Sequence, residues 1–491
     1  MPAPTLDDLP LHAGTPAARR VLIATILASG IGFLDGTVVN VALPKIEADL
    51  GGGFTTIQWV LDAYLLTLGS LVLIGGSLGD LLGKRRVFLW GIIGFGITSL
   101  LCGIAPTAAT LVAARAAQGI AAALMIPGSL AILSTVFAGA DRGKAIGTWS
   151  GLSGIVTALG PFVGGTLVDA GPQGWRAIFF INVPLVMICI WLTRTGVPDV
   201  PGSRTRAPLR GQVDLLGGFL AAAGLALLVG PLIEFDALGT LPALAIMAAG
   251  AAVLGLFYMV EASRQRSRNP PPMMPPRLFR VRSFAVANAE TFVVYGALGA
   301  VLLLLTVGLQ IGLGWSALAA GASVLPIMII LALGSAKVGA LLPRVGSRIL
   351  LTLGPIVMAL GIVGLSTISA GDTYWWPVLP SIVVFSLGLV LVVAPITTTA
   401  LGEVAADESG VGSGVNNAIA RVAALIAVAA IPLAAGLSDI DSEAGAAVLP
   451  GYARAALLSA GLCVAGGALA WVGFTRDTGK VAPARPVDKP H

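Results

Sequence analysis

Apolar residues along this chain come in runs of about 20, the length that carries an α-helix across a hydrocarbon core of about 30 Å. Short polar or basic gaps separate them. The runs fall at about 21–43, 57–79, 87–105, 108–136, 145–168 and 178–197, then 214–233 and 240–261, then 283–309, 317–341, 348–369, 375–399, 411–437 and 453–475. In lipid a backbone must satisfy its own polar groups, so each run is predicted to be a membrane-spanning helix. The order is six helices, an inserted pair and six more. This predicts an all-α polytopic membrane protein with an N-terminal six-helix bundle in 1–200, a two-helix linker region with basic loops in 201–282, a C-terminal six-helix bundle in 283–477 and a polar tail in 478–491.

Composition agrees with that class. Hydrophobic residues make up 56% of the 491 and charged residues 11%, against about 25% charged in a soluble domain. The 29 Lys and Arg residues are unevenly placed. Lys45, Arg176 and Arg454 fall in the loops of one side, Arg115, Lys337 and Arg421 within helices, and the rest on the other side or in the tails. That asymmetry predicts cytoplasmic N- and C-termini, and it accounts for the net charge of +5 without a nucleic-acid partner. Arg19 and Arg20 before the first run resemble the start of a signal sequence, but the run continues without a small-residue cleavage site, so a retained first helix is expected. Cys102, Cys189 and Cys463 lie within apolar runs and read as buried hydrophobes rather than disulfide or metal ligands. The two histidines, His12 and His491, sit in the polar tails. Proton chemistry inside the membrane therefore falls to carboxylates.

Few acids interrupt the runs, and a mid-membrane acid is a functional candidate by default. At about 1.5 Å per residue from Arg20, Asp35 lies about 22 Å into the core. Asp62 enters from the outer side on the second helix, and Arg115 from the same side on the fourth. The three are predicted to form one cluster in which each lowers the cost of burying the others. Glu290 lies about two turns into the ninth helix, the repeat equivalent of the first, and is expected to face the central cavity. Trp59, Tyr64, Gln118, Tyr295, Gln310 and Trp315 are candidates to line a substrate cavity. No phosphate-binding loop, metal-ligand cluster or catalytic constellation is present, so neither ATP-driven transport nor an enzyme is expected, and no cofactor.

Several stretches repeat or stand out. Gly76-Ser-Leu-Gly-Asp80-Leu-Leu-Gly83-Lys-Arg-Arg86 places two glycines, an acid and three bases at a helix end, which suits a charge latch. Leu342-Pro-Arg344-Val-Gly346-Ser-Arg348 is a weaker copy in the second half, lacking the acid. Leu111-Val-Ala-Ala-Arg115-Ala-Ala-Gln118-Gly119, Gly160-Pro161-Phe-Val-Gly164-Gly165, Trp175-Arg-Ala-Ile-Phe-Phe-Ile-Asn182-Val-Pro184 and Ser413-Gly-Val-Asn-Asn-Ala-Ile-Ala-Arg421 follow in order.

This set resembles the signature motifs of the major facilitator superfamily. With the opening Leu34 to Pro44 stretch it is similar to the fourteen-helix drug:proton antiporter branch, the multidrug exporters of the QacA/EmrB type. The resemblance implies a bacterial cell-membrane carrier, acting as a monomer, that exchanges protons for lipophilic, cationic small molecules by alternating access. It also implies a conformational latch at Gly76, Asp80, Gly83, Arg85 and Arg86, and an antiporter motif at Gly160, Pro161, Gly164 and Gly165. Asp35, Asp62, Arg115 and Glu290 are the proton- or cation-coupling candidates. A proton-coupled carrier of an endogenous solute, such as an amino acid, lipid or metabolite, is the alternative that the same residues allow.

Overall fold

The computed structural model describes residues 10–12, 14–199, 213–267, 271–402, 404, 409–437 and 444–475. The basic gap at 201–212 and the tail at 478–491 lie outside the described residues. Fourteen helices among those described are long and apolar enough to cross a membrane. They are α1 (Pro16–Leu50), α2 (Gly53–Leu82), α3 (Lys84–Gly103), α4 (Ala108–Val136), α5 (Asp141–Val168), α6 (Gly174–Gly196), α7 (Leu215–Ile233), α8 (Thr240–Arg266), α9 (Arg282–Gly312), α10 (Ala317–Val345), α11 (Ser347–Leu365), α12 (Val378–Leu401), α13 (Val411–Ala435) and α14 (Gly445–Gly473).

Three spans are not the continuous helices that the apolar runs suggest. α6 begins earlier than expected and is interrupted at Ile181. α9 ends in a π-helical turn at Val307–Gly312, and α10 is broken at Val324. An apolar run records length and polarity, not the local hydrogen-bond pattern.

Glycine decides how closely the helices approach, because packing in lipid lacks a hydrophobic drive between apolar surfaces. A Cβ on Gly75 of α2 would strike the carbonyl of Ala123 on α4, and one on Gly361 of α11 would strike the backbone of Phe385 on α12. Gly83 (φ 99°) and Gly346 (φ 87°) make the same sharp turn between α2 and α3 and between α10 and α11, so the sequence repeat is also a backbone repeat. The left-handed region at both turns favours glycine.

The inserted pair packs through α7 on two other helices at once. Leu225, Val229 and Ile233 of α7 cluster with Leu425 and Ala429 of α13 and with Trp59 and Leu66 of α2.

The first six and last six helices meet along a seam. At the end away from the basic loops it is closed. Gln310 donates to the Val41 carbonyl (2.9 Å), Gln58 donates to that of Val428 (2.9 Å), and the Asp169 carboxylate accepts the backbone N–H of Leu318 (2.8 Å) at the start of α10. Gly165 of α5 lies against the Ala317 and Leu318 backbone, and Gly321 against Pro161. At the basic end the same face of α5 is bare. Gly143, Gly147, Gly151 and Gly154 share the helical face of Pro161 and Gly165, yet a Cβ there would meet nothing within 4 Å. The helices α5 and α10 are thus pressed together at one end and parted at the other.

Candidate functional site

Asp35 is fully buried at the centre of the first six helices. The spacing of Ala28, Gly32, Asp35, Val39 and Ala42 places them on one face of α1. Gly32 on that face brings α1 close to α4, where an added Cβ would come within 3.2 Å of Met125. Arg115 and Gln118 stand one turn apart on α4, and both reach the carboxylate. Arg115 Nη1 forms an ion pair with Asp35 Oδ2, and Gln118 Nε2 donates to Asp35 Oδ1 (3.0 Å). Asn182 Nδ2, placed at the restart of α6 after the break, donates to the same oxygen (3.1 Å). Ser99 Oγ of α3 accepts from Gln118 (2.9 Å) and from Asn182 (3.3 Å).

Arg115 is held from further sides. Its Nε donates to the Val60 carbonyl (3.1 Å) and its Nη1 to Gln118 Oε1 (2.7 Å). The guanidinium lies 4.3 Å from the centre of the Tyr64 ring, whose hydroxyl donates to the Gly32 carbonyl (3.1 Å). This is a charge-compensated core that ties α1, α2, α3, α4 and α6 together. Arg115 Nη2 and Asn182 Oδ1 have no hydrogen-bond partner among the described residues, so the pair rests on mutual charge compensation, and loss of one partner would strand the other.

Asp62 does not join it. Its side chain is fully buried, and neither carboxylate oxygen has a hydrogen-bond partner among the described residues. It shares a face of α2 with Gln58 and Gly69, one turn before and two turns after it. Gln58 bonds to the α13 backbone, and Gly69 lies against Arg421 and Val422 of α13. Asp62 is therefore a bare acid in the seam. Glu290 is also fully buried with neither oxygen partnered, but it is placed elsewhere. It shares its face of α9 with Val293 and Val294, the residues that pack on Gly466 of α14, whereas the sequence reading turned it toward the central cavity.

The remaining predicted residues divide by location. Asp80 bridges to Lys84 (3.5 Å), Lys84 donates to Thr135 Oγ1 (2.7 Å), and Arg85 donates to the Arg194 carbonyl (2.8 Å), so the latch residues tie the basic end of α2 and α3 to α4 and α6. Arg86 is exposed, and Gly76 makes no close approach of its own. Side chains at Gly160 and Gly164 would collide with Thr37 and Val38 of α1, so with Pro161 and Gly165 the motif presses α5 against both α1 and α10. Trp59 faces the inserted pair, donating to Glu234 (2.8 Å). Gln310 closes the seam, and Gln118 belongs to the Asp35 cluster. Trp315 packs edge-on against Tyr374 beside a cavity of about 450 Å³ away from the basic end. Tyr295 is half-buried in the seam near Arg421. No group of three or more His, Cys, Asp or Glu side chains among the described residues could hold a metal ion.

Three further residues belong to these surroundings: Ser99, which no pattern in the sequence marks, and Asn182 and Arg421, which the sequence marks only as members of motifs and, for Arg421, as a charge within a helix. Small polar residues in apolar runs carry little signal by themselves. For Arg421 the signal was present, since an arginine in mid-span is as costly as an acid.

The family profile described as Major Facilitator Superfamily matches residues 25–428. The chain is 33% identical over 511 residues to the puromycin resistance protein pur8 of Streptomyces alboniger, covering 98% of this chain and 99% of that protein. It is 34% identical over 427 residues to the multidrug resistance protein Stp of Mycobacterium tuberculosis, covering 86% and 77% respectively. Among solved structures, a bacterial homologue of the human lysosomal transporter Spinster superposes with a TM-score of 0.67 at 16% identity, over 96% of this chain and 100% of that one; at that identity the likeness speaks for the fold. With its fourteen spans and these relatives, the chain belongs to the major facilitator superfamily, within the drug:proton antiporter branch, as a multi-pass protein of the bacterial cell membrane.

Proposed function

We propose that this protein is a proton-coupled secondary transporter that exports lipophilic small molecules by alternating access. The observation that carries the reading is Asp62, a fully buried acid with no hydrogen-bond partner among the described residues, set on the α2 face that meets α13. A bare carboxylate in a low-dielectric seam is costly, and binding a proton or a cation removes that cost. Because α2 and α13 belong to the two sets of helices that must move apart, its charge bears on whether the seam stays closed.

Asp35 and Arg115 serve as its fixed counterpart, a paired charge that holds α1 and α4 in register and opens only if Asp35 takes a proton. The end with the basic loops is cytoplasmic by charge asymmetry. The arrangement with α5 and α10 parted there would then load substrate from the cell interior. Protons entering from outside would occupy Asp62 as substrate leaves. The resistance relatives support export as the direction, and the family supports a proton gradient rather than ATP as the source of energy, with a single chain as the working unit and no enzymatic step.

The test is reconstitution in liposomes that enclose a pH-sensitive dye. Imposed pH gradients should drive uptake of lipophilic dyes, and dye addition should accelerate proton movement. Dye flux indifferent to the gradient would overturn the reading.

A further inference from the structure

We propose that Arg421 is an anion-binding point in the seam, so that the exported compounds carry an acidic group, a carboxylate, sulfonate or ionised phenol, on an aromatic body. The inference deepens the transport reading above by naming the substrate class, and it replaces the cationic substrates expected from the sequence. That expectation came from the resemblance to the drug:proton antiporter branch. Paired with Arg115, Asp35 offers a cation no net charge.

Arg421 has the opposite standing. It lies in mid-span on α13, and its guanidinium forms no hydrogen bond or ion pair among the described residues; its Nε is buried without a partner. Among the described residues Arg115 and Arg264 are matched by Asp35 and Asp214; Arg348, whose Nε is also without a partner, lies on the ring of Trp471 at the start of α11, outside the seam. Asp62 does not neutralise it. Gly69, the α2 residue level with Arg421, is seven positions from Asp62, roughly 10 Å along the axis.

Three helices meet the Arg421 side chain of α13, α1 and α2 from across the seam and α9 from its own side. Gly69 of α2 leaves room for its stem, since an added Cβ would lie 3.4 Å from Arg421 Cβ. Phe33 of α1 places its ring 5.8 Å from the guanidinium carbon. Tyr295 of α9 and Tyr64 of α2 are within electrostatic reach. The residue is half-buried rather than sealed, so a ligand can approach it. A guanidinium presents a planar fork that matches a carboxylate or sulfonate in two parallel bonds, and the adjoining aromatic rings suit an aryl body. Tyr64 also carries Arg115 on its ring, so a single side chain stands between the Asp35 cluster and the bound anion.

The test uses the full-length protein in lipid nanodiscs and equilibrium dialysis with two radiolabelled probes of one shape, naphthalene-2-sulfonate and trimethyl(2-naphthyl)ammonium. Wild type should bind the sulfonate about tenfold more tightly or better, the value of a charged hydrogen-bond pair. Arg421→Gln should lose about tenfold for the sulfonate while holding the ammonium within about twofold, and Arg421→Lys, which keeps the charge without the fork, should fall between. A wild type that prefers the ammonium, or an Arg421→Gln variant that binds the sulfonate as well as wild type, overturns the proposal. If Arg421→Gln does not fold, the wild-type preference alone decides. No pH gradient enters the measurement, so a failure here leaves proton coupling standing. A protein that binds the sulfonate but moves no protons with its substrate overturns the coupling reading instead.

Discussion

Replacing Asp35 by Asn changes almost no volume, but it removes the only carboxylate among the described residues that Arg115 touches. Arg115 keeps the Val60 carbonyl and Gln118 Oε1, which carry no compensating charge. Stranding one member of a buried pair costs about 3–5 kcal/mol. The same range applies to Arg115→Gln, which leaves the carboxylate with only Gln118 and Asn182 as donors. The double variant carries neither charge and keeps two amides at hydrogen-bonding distance. Its cost should fall below the sum of the singles by about 3 kcal/mol. Equilibrium unfolding in mixed micelles, followed by tryptophan fluorescence, gives the four corners of the cycle. Asp35→Asn should also abolish proton-driven efflux in everted vesicles. Strictly additive costs, or an Asp35→Asn variant within about 1 kcal/mol of wild type, would refute the view that this pair is a closed, mutually dependent core.

Other variants separate the remaining roles. Gly151→Leu places a side chain on the bare α5 face that must receive α10 when the basic end closes, and overpacking of about 1–3 kcal/mol should hold the protein open there; transport should fall about tenfold with substrate binding retained, and a normal transport rate would count against closure through this face. Glu290→Met removes a buried, unpartnered acid from the α9 face that packs on α14 and should raise stability by about 1–3 kcal/mol with efflux unchanged; lost proton coupling would show that Glu290 takes part after all. Asp80→Asn breaks a half-exposed bridge to Lys84 worth about 1 kcal/mol or less, so the unfolding midpoint should barely move while accessibility of a cysteine introduced at Gly147 shifts; an unchanged accessibility would deny the latch.

The spans were legible because lipid leaves a chain no other use for a 20-residue apolar run, and the turn at Gly83 was legible because its repeat at Gly346 needs the same backbone. Asp35 and Arg115 were legible as partners, since both are costly at one depth. Which way a side chain faces was harder. The spacing of Gln58, Asp62 and Gly69 marks one face of α2, but that this face meets α13 depends on packing between the two sets of helices, which no run of residues records. The repeat relation of α9 to α1 predicts an inward-facing Glu290, but the valines beside it reach α14. Ser99 and Asn182 complete the Asp35 cluster through hydrogen bonds from α3 and α6, yet a serine or asparagine in an apolar helix most often satisfies its own backbone and carries no address.

Asp62→Asn tests the central claim most directly. In proteoliposomes the variant should still exchange labelled for unlabelled substrate at equilibrium, because that cycle needs the binding site and the moving helices but no net proton step. It should lose uphill transport driven by a pH gradient. Retention of gradient-driven accumulation by Asp62→Asn would contradict the account.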